Sequence, residues 1–173
     1  MSPETDPVVT ENESELIEVV SQAIDERYCY DWINTWDSRV PIECRVVQYA
    51  YTVCGFAETN GYVAYMMMSS YHRALPICLR TLELPDLAAL IDQMLDRVPL
   101  DGVLGSEEAL VHYFGSWEKF ANWVGQFEDR LFAAYGRIKS ALASYCRTHA
   151  TSLAHLDPRV TELFAVQGQM PGR

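Results

Sequence analysis

A chain of 173 residues with 49% apolar and 21% charged side chains, 9 Gly and 8 Pro has the proportions of a single globular domain. Its longest wholly apolar run, about seven residues at 62–68, is far short of the ~20 a membrane-spanning helix requires. A formal net charge of −11 argues against direct binding to nucleic acid or to an anionic membrane, since both need a basic face. The charge is unevenly placed: residues 1–43 hold 11 acids and 2 bases, whereas 137–173 hold 2 acids and 5 bases. The first residues, MSPETDPVVTENE, lack the basic start and apolar core of a signal peptide, so the expectation is a cytoplasmic protein.

In chain order, residues 1–11 carry two prolines and no periodicity and read as a disordered arm. One helical domain is expected over 12–166 and a frayed tail over 167–173. Asn12 and Glu15 fit a capping box, with Thr10 and Glu13 as the alternative start. At 100° per residue, Leu16, Val19, Val20, Ala23 and Ile24 share one arc of the first helix, and Glu15, Glu18, Gln22, Asp25 and Glu26 the opposite one. Continued straight, this helix would carry Arg27 and Asp31 onto the apolar arc, so a break or kink near Arg27 is favoured over a pairing of the two. An aromatic segment with Tyr28, Tyr30, Trp32 and Trp36 follows.

Pro41 suits the first turn of a second helix. There Ile42, Val46, Tyr49, Ala50, Val53, Phe56 and Ala57 form one face, opposite Arg45, Gln48, Thr52 and Gly55. Thr59-Asn60-Gly61 is a turn, because Asn and Gly tolerate left-handed angles. Tyr62 to Met68 then has no polar side, the mark of a helix buried all round, so this piece is expected at the centre of the fold. Ser69-Ser70 breaks it.

Pro76 falls in the first turn of a helix ending near Leu82. Pro85 opens another with Leu87, Leu90, Ile91, Met94 and Val98 at helical spacing. A loop at 99–105 precedes a helix start at Ser106-Glu107-Glu108, and Gly115-Ser116 breaks and recaps the chain. From Trp117 a stripe runs through Phe120, Trp123, Val124, Phe127, Leu131, Ala134, Tyr135, Ile138, Leu142 and Tyr145. An interior Gly costs roughly 1 kcal/mol, which predicts a junction near Gly125–Asp129. Asp157-Pro158 caps a short last helix. No segment alternates like a strand, so the expected class is all-α, a single multi-helix domain around the helix at about Tyr62–Met68.

Signatures of chemistry are sparse. The five cysteines, Cys29, Cys44, Cys54, Cys78 and Cys146, form no C-x-x-C pair and read as buried free thiols. His72, His112, His149 and His155 give no i, i+4 pair around a glutamate, so no metal or cofactor is expected. Nucleophile-elbow and phosphate-loop motifs are absent. Glu107-Glu108 and Glu128-Asp129 are assigned to helix starts, where the helix dipole accounts for them. The interacting surface predicted from charge and aromaticity comprises Glu15, Glu18, Asp25 and Glu26 with Tyr28, Trp32 and Trp36; its partner would be a basic protein.

The run Thr59-Asn60-Gly61-Tyr62-Val63-Ala64-Tyr65-Met66-Met67-Met68-Ser69 resembles the N-G-G-F-x-Q-Y-F-x-N-S pattern of a bacterial family typified by a DNA-mimic protein. Gly61, Tyr65 and Ser69 match and Tyr62 replaces a Phe, while Thr59, Asn60, Ala64 and Met68 depart from it. The segments ALPICLRTLELPDLAALIDQML and EDRLFAAYGRIKSALASY resemble later helices of that family, so the likeness spans roughly 45–148. It implies an all-helical, non-enzymatic protein, open to homodimer formation, that presents an acidic surface to a DNA-binding protein. Asn60, Gly61, Tyr62, Tyr65, Met67 and Ser69 would then be structural. Two other readings stay open: an immunity-type inhibitor of a basic toxin, and a ligand-binding domain or enzyme with an aromatic and Met-lined pocket.

Overall fold

A computed structural model describes residues 10–28, 39–67, 73–99 and 106–166, with positions 53–54, 56–60 and 62–67 in backbone only. Of the arm expected at 1–11, residues 1–9 lie outside the described residues, Thr10 precedes the first helix and Glu11 already belongs to it; the tail at 167–173 also lies outside the described residues. Among those described the fold is all-α. Its helices are α1 (Glu11–Tyr28), α2 (Ile42–Met67), α3 (Ala74–Thr81), α4 (Pro85–Leu95), α5 (Glu107–Phe114), α6 (Trp117–Ala133), α7 (Tyr135–Thr148), α8 (Ala150–Leu153) and α9 (Pro158–Val166).

Helix α1 begins at the alternative capping box. The Glu13 amide donates to Thr10 Oγ1 at 3.3 Å and the Thr10 amide donates to Glu13 Oε2 at 3.0 Å, satisfying two donors at the helix start. This start wins over Asn12 and Glu15 because Glu13 also accepts from Arg147 on α7 at 3.2 Å, a partner local sequence does not reveal. Leu16, Ile17, Val20, Ala23 and Ile24 are buried where α1 packs on α2, α7 and α9. The helix passes Arg27, which donates to the His155 carbonyl at 3.3 Å, and its described part ends at Tyr28.

Helix α2 is the hub, packing against α1, α3, α6, α7 and α8. Its axis breaks at Gly61, with φ 74° and ψ 165°, a region of backbone space essentially confined to glycine. A Cβ there would also lie 2.8 Å from Glu128 Oε1. The turn expected at Thr59-Asn60-Gly61 is therefore a kink between two helical pieces. Of Tyr62–Met67 the structure gives a helical backbone, and Met68 and Ser69 lie outside the described residues. Gln48, expected on the polar side, is 1% exposed.

Helices α3 and α4 form a tight hairpin. The Glu83 amide donates to the Arg80 carbonyl at 3.1 Å and the Leu84 amide to the Leu79 carbonyl at 2.8 Å, the paired bonds of a Schellman cap. The left-handed residue of that cap, ordinarily Gly, is Glu83 at φ 60°. Buried Leu79 and Leu84 supply the apolar contact that accompanies such caps and offset a left-handed penalty of roughly 1–2 kcal/mol. Leu87, Leu90, Ile91, Met94 and Val98 are all buried, as their spacing predicts.

Ser106 and Ser116 cap α5 and α6 by accepting from the Ala109 and Lys119 amides at 3.3 and 3.2 Å, and Gly115 ends α5 at φ 82°. The junction predicted near Gly125–Asp129 is not there. Helix α6 runs through Gly125 to Ala133, and the chain breaks at Ala134. Phe120, Val124 and Leu131 stay buried on one stripe across Gly125, and their burial at about 1.5–3 kcal/mol each outweighs one interior glycine. Glu128 and Asp129 are consequently well inside α6, away from any helix start. Asp157 caps α9 by accepting from the Arg159 amide at 2.7 Å.

Candidate functional site

Helix periodicity put Glu15, Glu18, Asp25 and Glu26 on one acidic arc; packing divides them. Glu15 and Glu18 are exposed and meet no cation among the described residues. With exposed Glu11 they form a ridge at i, i+4 and i+7. Glu26 instead holds Arg159 of α9 at 2.6 Å. Asp25 is half-buried and accepts from Gln48 Nε2 at 2.7 Å. Gln48 in turn accepts from buried Ser21 Oγ at 2.6 Å, and its amide nitrogen lies 3.4 Å from Thr52 Oγ1. Burial raises the Asp25 carboxyl above its ordinary range, against the opposing effect of the Gln48 hydrogen bond.

Tyr28, expected beside the acidic arc as an anchor, is half-buried and packs on the core; Trp32 and Trp36 lie outside the described residues. The aromatic that stands by the ridge is one sequence reasoning passed over. Tyr51 of α2 is 37% exposed, and its phenol is pushed up by burial and then by the Glu18 and Asp25 carboxylates beside it. Its position next to the polar side of α2, off the apolar face, was the available signal.

Five of the described arginines pair with carboxylates. Arg137 binds both Asp86 oxygens at 2.9 and 3.1 Å and draws that carboxyl below its usual range. Arg73 holds Asp96 at 2.8 Å, Arg80 pairs with Asp92, and Arg159 holds Asp157 at 2.9 Å. The basic C-terminal third thus folds back onto acids of α1 and α4, and the ridge keeps its charge.

A second feature is a cleft of about 560 Å³ between the first turn of α2, the α3–α4 cap and one side of α7. Glu43 Oε1 lies 4.0 Å from His149 Nδ1, and the Tyr145 and His149 rings are 4.3 Å apart, tilted by 41°. Burial, then Glu43, pushes the Tyr145 phenol up to about 12, so it remains a hydrogen-bond donor at neutral pH. Glu83 and Leu82 complete the opposite wall. No described Met or Trp lines this cleft, and the side chains of Met66, Met67 and Met68, on which the Met-lined pocket left open by the sequence depends, lie outside the described residues. It draws on three separate elements, and no motif joins them.

Cys44, Cys78 and Cys146 are free and buried. Burial pushes Cys44 up to about 11 and Cys146 up to about 12, so neither is a nucleophile at neutral pH. Cys29 and the side chain of Cys54 lie outside the described residues. No group of three His, Cys, Asp or Glu suited to a metal occurs among the described residues. No described helix is long and apolar enough to cross a membrane. The chain matches no family model, no curated protein and no solved structure.

Proposed function

We propose that this is an acidic, non-enzymatic interaction protein, whose α1 ridge docks on a basic partner and modulates it. The observation that carries the reading is the contrast in pairing. Arginines of α3, α7 and α9 each hold a carboxylate, whereas Glu11, Glu15 and Glu18 are left to solvent. Like charges at i, i+4 and i, i+3 destabilise a helix by about 0.2–0.5 kcal/mol per pair. The ridge holds two such pairs, Glu11 with Glu15 and Glu15 with Glu18. A local cost without a structural return is the pattern expected of a functional surface.

The spacing bears on the partner. Three charges over seven residues occupy roughly 10 Å of helix axis, about one per 5 Å, against one per ~3.4 Å along a DNA strand. That density suits a basic groove made for a phosphate backbone, so the partner proposed is a DNA-binding protein engaged by mimicry, in line with the family resemblance. Tyr51 at the edge of the ridge supplies the aromatic contact that slows dissociation.

The test is capture of the partner from the native host, followed by association kinetics across a salt series with wild type and the Glu15→Lys, Glu18→Lys double variant. Screening should slow association as the Debye length shrinks below about 8 Å, and the double variant should associate about tenfold more slowly. A partner with an acidic surface, or rates indifferent to both salt and reversal, would exclude the reading. A captured basic nuclease toxin would replace DNA mimicry with immunity while leaving the ridge as the docking surface.

A further inference from the structure

We infer that the cleft between α2, the α3–α4 cap and α7 is a binding site for a small organic ammonium ion carrying an aliphatic chain. It is separate from the α1 ridge and does not depend on the function proposed for it.

The charge of the cleft sets the ligand's sign. Among the described residues, two carboxylates, Glu43 and Glu83, line it, no lysine or arginine does, and the one basic group is His149. His149 Nδ1 stands 4.0 Å from Glu43 Oε1, and Glu83 meets no cation among the described residues. The Tyr145 ring adds an aromatic face, which attracts ammonium groups through its quadrupole, and the phenol stays protonated and able to donate.

Shape sets the rest of the ligand. About 560 Å³ falls within the range of small-molecule sites. Leu82 and Ala141 give apolar wall, and Ile42 at the rim is 42% exposed, an isoleucine placed where an alkyl chain would cover it. Glu83 is the sharpest indication. The Schellman cap requires a left-handed residue that glycine would fill without strain, yet the chain keeps a glutamate there at φ 60°. That cap sets the Glu83 side chain in the wall of the cleft.

The probe is hexylammonium, with 1-hexanol as its neutral counterpart of equal length, titrated into the labelled full chain at constant ionic strength and followed by NMR. Hexylammonium should give saturable shifts at Ala141, Tyr145 and His149, with a dissociation constant about fivefold or more below that of hexanol. Glu43→Gln and Glu83→Gln should each weaken it about threefold, roughly the effect of losing one exposed charge contact. Glu83→Gly serves as a second variant: it should raise thermal stability and still lose hexylammonium affinity, which a purely structural Glu83 would not do. Glu15→Gln with Glu18→Gln should leave the affinity unchanged. The proposal is overturned by absence of saturable shifts, by equal affinity for the alcohol, by indifference to the Glu43 and Glu83 changes, or by equal weakening from the α1 pair.

Discussion

On the inner edge of α1, Asp25 accepts from Gln48 at 2.7 Å, while Glu13 and Glu26 hold Arg147 and Arg159. On the outer ridge, Glu11, Glu15 and Glu18 meet no cation among the described residues. Six carboxylates on one helix thus fall into two populations. The inner ones join elements distant in sequence, with 23 to 134 residues between partners. The outer ones repel one another. Acid content alone therefore says little about a functional face; what matters is which acids folding leaves unclaimed.

The comparison is tested most severely at Gln48. Its amide oxygen and nitrogen serve Ser21, Asp25 and Thr52 in a setting that is 1% exposed. Gln48→Ala strands a buried hydroxyl and a half-buried carboxylate and should cost about 2–3 kcal/mol, read from the denaturant midpoint. A midpoint shift no larger than that of a surface substitution would mean the inner edge is held no more tightly than the outer.

A smaller effect is expected at the ion pairs. Arg147→Met, at a half-buried pair, should cost about 1 kcal/mol, and Arg159→Met less than about 1 kcal/mol, as for solvent-exposed pairs in general. Glu13 keeps its capping bonds to Thr10 in the first case. A loss comparable to that of Gln48→Ala would transfer the anchoring of α1 from the α2 network to α7 and α9.

Titration separates the carboxylates again. The Glu13 carboxyl is lowered chiefly by the Thr10 amide, and those of Asp86 and Asp157 by Arg137 and Arg159. Their contributions are present above the unfolded pKa and are lost as pH falls through the lower folded values. Asp25 is raised by burial, so it binds its proton more tightly in the folded chain and its contribution declines as pH rises through that window. Asp25→Asn, which retains an acceptor for Gln48, should give a small stability gain near neutrality that vanishes in acid. A gain independent of pH would contradict the assignment.

How legible all this was in sequence follows from the range of the interactions involved. Caps and turns are local, and Ser106, Gly115, Ser116, Pro85 and Asp157 announced their helix ends correctly. Gly61 likewise marked the break in α2. Gly125 misled because a local propensity met a long apolar stripe, and the stripe prevailed. Gln48 looked solvent-facing because its partners, Ser21 and Asp25, lie on another helix. For the same reason the acidic arc of α1 looked uniform, since the arginines that claim Glu13 and Glu26 come from the far end of the chain. Glu83 gave no signal at all: nothing in a glutamate between two leucines announces a left-handed cap.

The stability effect that bears most directly on function is a gain. Glu15→Lys converts two repulsive neighbours into attractive ones, with Glu11 four residues before and Glu18 three residues after. The orientation Glu then Lys at i, i+4 is the favourable one, and each pair is worth about 0.2–0.5 kcal/mol. Glu15 lies beyond the first turn of α1, where the helix dipole has largely faded, so little opposes the gain. Counting the repulsion removed and the attraction gained at both pairs, the substitution should raise stability by about 1 kcal/mol in low salt, and the gain should shrink as salt is added. The same change should slow association with the basic partner. Rising stability with falling affinity is the signature of a surface maintained for binding at the expense of the fold. If Glu15→Lys destabilises the chain instead, Glu15 has an unrecognised structural partner and the outer ridge belongs with the inner edge.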